Sequence, residues 1–102
     1  MKKLIFILLA LITSNTFAQN GKIRGFVYEK ESGEPIMFGN VFLKGTTIGT
    51  ATDINGMYNI SKIKEGNYTL MATYIGYDTT EVDILIKKGK IITKNLEIGE
   101  AS

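Results

Sequence analysis

The residues that come closest to an acid/base cluster in this sequence are Asp78, Glu81 and Asp83. General acid/base catalysis needs carboxylates that converge on a substrate in a cleft. Alternate residues of a β-strand share one face, so Glu81 and Asp83 are expected to point into solvent while Val82 and Ile84 point inward. The spacing therefore favours a solvated strand face, and we predict no catalytic residues.

A second oxygen-rich segment, Asp53-Ile54-Asn55-Gly56, has the composition of the start of a calcium loop. Oxygen ligands at alternate positions followed by glycine suit a hard cation. The segment then enters a strand at Met57-Tyr58, with no acidic residue at the later position that a calcium loop requires. We interpret Asp53 and Asn55 as turn residues and keep a metal site at these two residues as the alternative.

Two residue types that carry much of enzyme chemistry are missing, because the sequence contains no cysteine and no histidine. Thiolate nucleophiles, disulfides, the commonest general base and the commonest transition-metal ligand are therefore excluded. The tyrosines could stack on sugars or bases, but their strand spacing favours packing within the domain. We predict a protein that is not an enzyme and needs no cofactor.

The first eighteen residues have the pattern of an export signal. Lys2 and Lys3 precede an apolar run over residues 4–12, and Thr16-Phe17-Ala18 supplies small residues for cleavage before Gln19. The alternative is a membrane anchor, but the run is well short of the ~20 residues that span a bilayer as a helix. We predict a signal peptide over residues 1–18, one domain over residues 19–102, export to the periplasm, and no membrane insertion of the mature domain.

The charge balance also depends on this leader. Without Lys2 and Lys3 the acidic and basic side chains are equal in number, so the net charge of +2 belongs to the leader. The one lysine cluster, Lys87-Lys88-Gly89-Lys90, lies between two apolar runs and has the composition of an exposed hairpin turn. We therefore predict no nucleic-acid partner.

The candidate residues described above lie on or between short β-rich runs that are separated by glycines. No segment sustains a helical repeat. Ile23, Gly25 and Val27 are expected to share one face of the first run, and Asp53 to Gly56 to form the clearest hairpin. Seven strands are predicted over residues 22–29, 40–44, 48–52, 57–60, 68–74, 82–86 and 91–96. With no helix to cover them, they predict an all-β, seven-stranded antiparallel sandwich, with a closed barrel as the alternative.

These residues resemble the carboxypeptidase-regulatory-like domain, a transthyretin-like (prealbumin-like) sandwich. Five segments in order carry the resemblance, and together they span the whole domain after the leader: Ile23-Arg24-Gly25-Phe26-Val27, Ser32-Gly33-Glu34-Pro35-Ile36, residues 40–50, Thr52-Asp53-Ile54-Asn55-Gly56-Met57-Tyr58 and Tyr74-Ile75-Gly76-Tyr77. The stretch Phe38-Gly39-Asn40-Val41 departs from the pattern, since the family more often has a small glycine-valine step here.

The resemblance implies structural roles for the motif residues, with Tyr77 as a corner residue that ties a loop to the sandwich. The residues concerned are Gly25, Gly33, Pro35, Gly45, Thr46, Gly49, Thr50, Asp53, Gly56, Gly76 and Tyr77.

The family is most abundant in Bacteroidota, as the N-terminal extension of TonB-dependent outer-membrane receptors. The resemblance therefore implies a periplasmic, non-catalytic module for nutrient uptake, whose partners are the receptor plug and barrel or the TonB-type energising machinery. Such receptors continue into a TonB box, a plug and a barrel, so both the front piece of a receptor and a free-standing module remain open. The alternative function is a structural or interaction domain of a secreted peptidase or adhesin.

Overall fold

Eight β-strands make up most of residues 20–101, the part of the chain that this computed structural model describes. The predicted signal peptide over residues 1–18 lies outside the described residues. Within them, no helix is long and apolar enough to cross a membrane. The strands are β1 (Asn20–Glu29), β2 (Asn40–Leu43), β3 (Gly49–Ala51), β4 (Met57–Lys64), β5 (Gly66–Thr73), β6 (Thr80–Ile86), β7 (Ile91–Thr93) and β8 (Leu96–Ile98).

The strands form two sheets that pack face to face. In the first sheet β1 pairs with β4 on one side and with both β7 and β8 on the other, and the second sheet has the order β3-β2-β5-β6. The predicted all-β sandwich is confirmed. All pairs are antiparallel except that β7 and β8 run parallel to β1.

The last predicted strand, residues 91–96, differs from the expectation in two ways. It is parallel to β1, and it divides at Lys94-Asn95, which raises the strand count from seven to eight. At the division the Lys94 N–H donates to the Arg24 carbonyl (2.8 Å), while the Asn95 side-chain oxygen accepts from the Phe26 N–H (3.0 Å). The Asn95 side chain thus accepts a hydrogen bond from β1 at the point where the strand is interrupted.

The hairpin predicted at Asp53-Ile54-Asn55-Gly56 is wrong. The chain does turn there, but β3 pairs with β2 and β4 pairs with β1, so the turn passes from one sheet to the other. The turn at Lys87 to Lys90 likewise joins β6 of the second sheet to β7 of the first. Local turn chemistry specifies a reversal, whereas strand pairing depends on which faces become buried.

The core lies between the sheets and follows the predicted alternation. Ile23, Gly25 and Val27 are buried, as expected. The alternation breaks once, at a bulge in β4 where Lys62 has a φ of 59°, and this extra residue turns Ile63 back toward the core. The buried apolar residues are Ile23, Val27, Ile36, Val41, Leu43, Tyr58, Ile60, Ile63, Leu70, Ala72, Ile84, Ile86, Leu96 and Ile98.

Candidate functional site

The strand directions gather three connections at one end of the sandwich. These are residues 30–39 between β1 and β2, residues 52–56 between β3 and β4, and residues 74–79 between β5 and β6. Together they expose five large apolar side chains, which we call the apolar loop end: Met37, Phe38, Ile54, Tyr74 and Ile75. Exposed apolar groups concentrated in this way mark interaction surfaces more often than scattered ones do.

Thr52 holds two of these connections together. Its hydroxyl donates to the Ile36 carbonyl (2.6 Å) and accepts from the Gly39 N–H (2.9 Å). Its own N–H donates to the Gly39 carbonyl (2.8 Å), and its carbonyl accepts from the Phe38 N–H (3.1 Å). Thr52 is the buried polar residue of the described core. These four hydrogen bonds satisfy it and fix the backbone on both sides of Phe38.

Phe38 combines two unfavourable features. Its backbone has a φ of 59°, in the left-handed region that bulky side chains rarely adopt. Its side chain is 70% exposed, so the ring gains little from burial in the domain itself. Glycine and asparagine tolerate this backbone conformation better, so the backbone geometry does not account for the aromatic ring.

The turn after β5 presents Ile75 at its tip. The Tyr77 N–H donates to the Tyr74 carbonyl (3.0 Å) and closes the turn, while the Ile75 side chain is 96% exposed. The rings of Tyr74 and Tyr77 lie 5.4 Å apart between centroids. Thr73, the last residue of β5, pairs with Asn40, which places this turn beside the residues that follow Phe38.

Tyr77 connects this turn to the first sheet and to the last described residues. Its hydroxyl donates to the Glu29 carboxylate, and its backbone forms an antiparallel bridge with Glu100. This hydrogen bond, together with partial burial and the negative charges of Glu29 and Glu100, raises the pKa of Tyr77 to about 12. The structure thus places the predicted corner residue where a loop, β1 and the chain's last described segment meet.

The charges are distributed unevenly between the two ends. The three connections at the apolar loop end carry one lysine, Lys30, and four acidic residues, which are Glu31, Glu34, Asp53 and Asp78, and Glu100 lies beside the last connection. At the opposite end, which we call the lysine end, one acidic residue, Glu65, lies among seven lysines in the turns and adjoining strand ends, which are Lys22, Lys44, Lys62, Lys64, Lys87, Lys88 and Lys90. A domain with balanced charge is therefore polarised along its length.

Comparison with protein families matches residues 23–102 to the CarboxypepD_reg-like domain, which covers most of the chain. The chain belongs to the CarboxypepD_reg-like family. The resemblance seen in the sequence is therefore confirmed.

Curated relatives of this CarboxypepD_reg-like domain carry receptor names. It is 37% identical over 98 residues to TonB-dependent receptor P39 of Formosa agariphila, covering 93% of this chain and 9% of that protein. It is 33% identical over 100 residues to TonB-dependent receptor SusC of Bacteroides thetaiotaomicron, covering 96% of this chain and 10% of that protein. The chain thus spans about a tenth of the length of these relatives.

Solved structures share the fold at low sequence identity. The minor pilin GBS52 of Streptococcus agalactiae superposes with a TM-score of 0.60 at 18% identity, over 84% of this chain and 47% of that one. BcpA, the major pilin subunit of Bacillus cereus, gives a TM-score of 0.61 at 18% identity, over 81% of this chain and 29% of that one. At these identities the likeness concerns the sandwich architecture alone.

In this CarboxypepD_reg-like domain, the Asp53 carboxylate accepts hydrogen bonds from the backbone of its own turn. One carboxylate oxygen accepts from the N–H groups of Asn55 and Met57, both at 2.9 Å. Among residues 20–101, no three side chains of metal-binding type come together. The geometry of Asp53 and Asn55 is that of a turn cap.

Glu81 and Asp83 lie on the outer face of β6, as the alternation predicted. Glu81 forms an exposed ion pair with Lys44 (3.3 Å), and Asp83 accepts a hydrogen bond from the Thr69 hydroxyl (3.0 Å). Asp83 also lines a shallow groove of about 420 Å³ together with Lys44 and Thr69. Each carboxylate thus has its own surface partner, and the two do not converge on a common point.

Gly25 and Gly56 are two of the family glycines at which a Cβ atom would be too close to neighbouring backbone atoms. A Cβ at Gly25 would lie 2.0 Å from the Lys94 carbonyl oxygen, which the buried Tyr58 hydroxyl also approaches as a donor. Burial raises the pKa of Tyr58. A Cβ at Gly56 would lie 2.8 Å from the Val27 carbonyl oxygen.

The remaining motif residues lie in turns or short strands. Thr46 closes the β2–β3 turn by donating to the Leu43 carbonyl (2.7 Å) and accepting from the Ile48 N–H (3.0 Å). Pro35 forms a bridge with Tyr28. Gly33, Gly45 and Gly76 lie in turns, and Gly49 and Thr50 lie in β3, which is paired with β2.

The apolar loop end itself was missed by the sequence reasoning. Thr52 and Ile75 lie within the segments that carry the family resemblance, but no role was assigned to them. Phe38 stood out only as the first residue of a stretch that departs from the family pattern. That departure was the available signal, since it places a bulky aromatic residue next to Gly39 in a turn.

Proposed function

We propose that this domain is a non-catalytic periplasmic module that forms the N-terminal extension of a TonB-dependent outer-membrane receptor for nutrient uptake. The observation that carries the proposal is the 37% identity over nearly the whole chain to one small part of a TonB-dependent receptor. A chain that matches a tenth of a receptor supplies one of its modules, and the remaining receptor supplies transport.

The arrangement of side chains supports a binding role. The three carboxylates that could have taken part in metal binding or acid/base chemistry have other partners: Asp53 caps a turn, Glu81 pairs with Lys44, and Asp83 accepts from Thr69. The largest unexplained feature is the apolar loop end, which fits association with another protein surface. Its partners would be the receptor plug and barrel or the TonB-type energising machinery.

The first test is genetic. The reading frame beyond the codon for Ser102 should continue into a plug and barrel, and in-frame deletion of residues 20–101 from that gene should abolish or strongly reduce uptake of the receptor's nutrient. Receptor abundance in the outer membrane is measured in parallel. Normal uptake after the deletion, at normal receptor abundance, would contradict a coupling role.

The non-catalytic part of the proposal has its own test. The double variant Glu81→Gln with Asp83→Asn removes both carboxylates from the outer face of β6 while keeping side-chain size. We expect uptake to be unchanged, because neither group lies in a convergent site. Loss of uptake in a folded, normally abundant variant would show that these carboxylates take part in function.

A further inference from the structure

The last described residues leave the sandwich at the apolar loop end. The Ala101 N–H donates to the Gly76 carbonyl (3.0 Å), and the Asp78 N–H donates to the Gly99 carbonyl (2.8 Å). Residues 99–101 therefore run alongside the turn that carries Ile75. A polypeptide that continues from this point begins next to the exposed apolar side chains.

The lengths of the relatives indicate which polypeptide would follow this domain. The chain spans 9% of one TonB-dependent receptor and 10% of another. A covalently joined neighbour has a high effective concentration near its attachment point, so even a modest apolar surface is covered without high intrinsic affinity. The following segment is thus the occupant favoured by geometry.

The chemistry of this end defines the surface it would fit. Phe38, Ile54 and Ile75 are exposed on the three connections at this end, and the same connections carry four acidic residues. Apolar anchors inside a charged rim are the usual anatomy of a protein interface. The complementary surface is apolar with basic side chains at its margin.

The backbone at Phe38 adds an independent argument. The Thr52 hydrogen bonds hold Phe38 in a left-handed conformation that its side chain disfavours, and the ring is left exposed. Backbone strain that the surrounding structure holds in place is concentrated at functional sites.

We propose that the apolar loop end docks on the part of the receptor polypeptide that follows this module, with Phe38 and Ile75 as anchors. The inference rests on the proposed function, since it takes the module to be joined to a receptor. Docking sets the orientation of the module against the plug, and it leaves the lysine end free on the far side.

The test uses the full-length receptor with a photo-crosslinking amino acid, benzoylphenylalanine, in place of Phe38 or Ile75. Ile91 is the matched control, because it is also apolar and 57% exposed but lies at the start of β7, near the lysine end. Mass spectrometry identifies the crosslinked peptide. We expect both loop positions to crosslink to the same polypeptide beyond Ser102, and position 91 not to do so.

A second measurement guards against local disturbance by the probe. With the probe at position 38, Ile75→Ser should reduce the crosslink yield about tenfold, the loss expected when a buried apolar anchor of an interface is removed. Ile91→Ser should leave the yield unchanged. A yield that is insensitive to Ile75→Ser would overturn the assignment of the anchor.

Other crosslinked products would also overturn the inference. A crosslink to a second copy of this domain would indicate head-to-tail association of the acidic and lysine ends, and a crosslink to a separate protein would indicate a different partner. No crosslink above that at position 91 would show that the surface is free. In each case, loss of uptake after deletion of the module would still support the proposed function. The docking inference and the proposed function can therefore be contradicted independently.

Discussion

The two ends of this sandwich are built from similar turns but present different surfaces. At the lysine end, Gly45, Gly66 and Gly89 have positive φ values, and lysines surround them. At the apolar loop end, Gly33, Gly56 and Gly76 have the same property, yet Phe38, Ile54 and Ile75 are exposed between them. Lysines around an end keep it solvated, whereas apolar side chains carry a cost unless something covers them.

The two ends differ in how far the needs of the fold account for their residues. The fold needs the reversals at both ends, and glycine, aspartate and threonine provide them. It does not need an aromatic ring at Phe38 or an aliphatic side chain at the tip of the 74–77 turn. Exposed apolar residues that the fold does not require are the ones that suggest a partner.

The largest contrast is expected between two threonines with the same hydrogen-bonding pattern. Thr52 at the apolar loop end and Thr46 at the lysine end each donate to a carbonyl and accept from an N–H. Thr52 is buried, so Thr52→Val leaves the Gly39 N–H and the Ile36 carbonyl unsatisfied and should cost about 2–3 kcal/mol. Thr46→Val should cost about 0.5–1 kcal/mol, because water reaches the exposed groups.

Urea unfolding followed by circular dichroism measures both threonine variants. Thr52→Ser retains the hydroxyl and is the control, with a smaller loss than Thr52→Val. Equal losses for Thr52→Val and Thr46→Val would mean that the apolar loop end does not depend on Thr52.

A smaller effect is expected at the two non-glycine residues with positive φ, one at each end. Phe38→Asn and Lys62→Asn both place a residue that tolerates the left-handed region. Lys62→Asn should stabilise the domain by about 0.5 kcal/mol. Phe38→Asn should change stability by less than about 1 kcal/mol, because relief of strain offsets the small apolar area lost.

Thermal unfolding of the two asparagine variants tests this pair. A loss of several kcal/mol in Phe38→Asn would show that the ring is a structural residue, and the contrast between the ends would then lose its functional meaning. Retained stability would leave the exposed ring without a folding role.

The smallest effect concerns Tyr77, which fastens the chain's last described segment to the apolar loop end. The pKa of Tyr77 is raised from about 10 to about 12, so folding favours the protonated phenol. Its contribution to stability is therefore complete below about pH 10 and is lost as the pH rises through about 12. The difference in unfolding free energy between the wild type and Tyr77→Phe should be constant at lower pH and shrink across this window.

Urea titrations of both proteins between pH 8 and pH 12 measure this difference. A difference that stays constant up to pH 12 would mean that the Tyr77 hydroxyl and Glu29 are not coupled in solution.

Much of the fold could be predicted from the sequence because alternation is a local signal. The inward faces at Ile23 and Val27, at Val41 and Leu43, and at Ile84 and Ile86 all follow from a period of two. The pairing of the strands could not be predicted in the same way. Asp53 and Gly56 specify a turn equally well whether the chain stays in one sheet or crosses to the other.

The candidate site was less accessible to sequence reasoning for a different reason. Phenylalanine and isoleucine are expected in the core, and nothing in the local sequence shows that Phe38 and Ile75 point outward. The role of Thr52 depends on residues 13 to 16 positions away, which meet it only after the sheets have packed. Its hydrogen bonds are therefore a property of the tertiary structure.

The central claim, that the apolar loop end is the working surface of this module, is tested most directly by uptake through the full-length receptor. One variant combines Phe38→Asn with Ile75→Ser, and a matched variant combines Leu85→Ser with Ile91→Ser, which removes the exposed apolar residues nearer the lysine end. We predict that the first variant loses uptake to the level of the module deletion while the second retains it, at equal receptor abundance. Equal uptake by the two variants would contradict the claim.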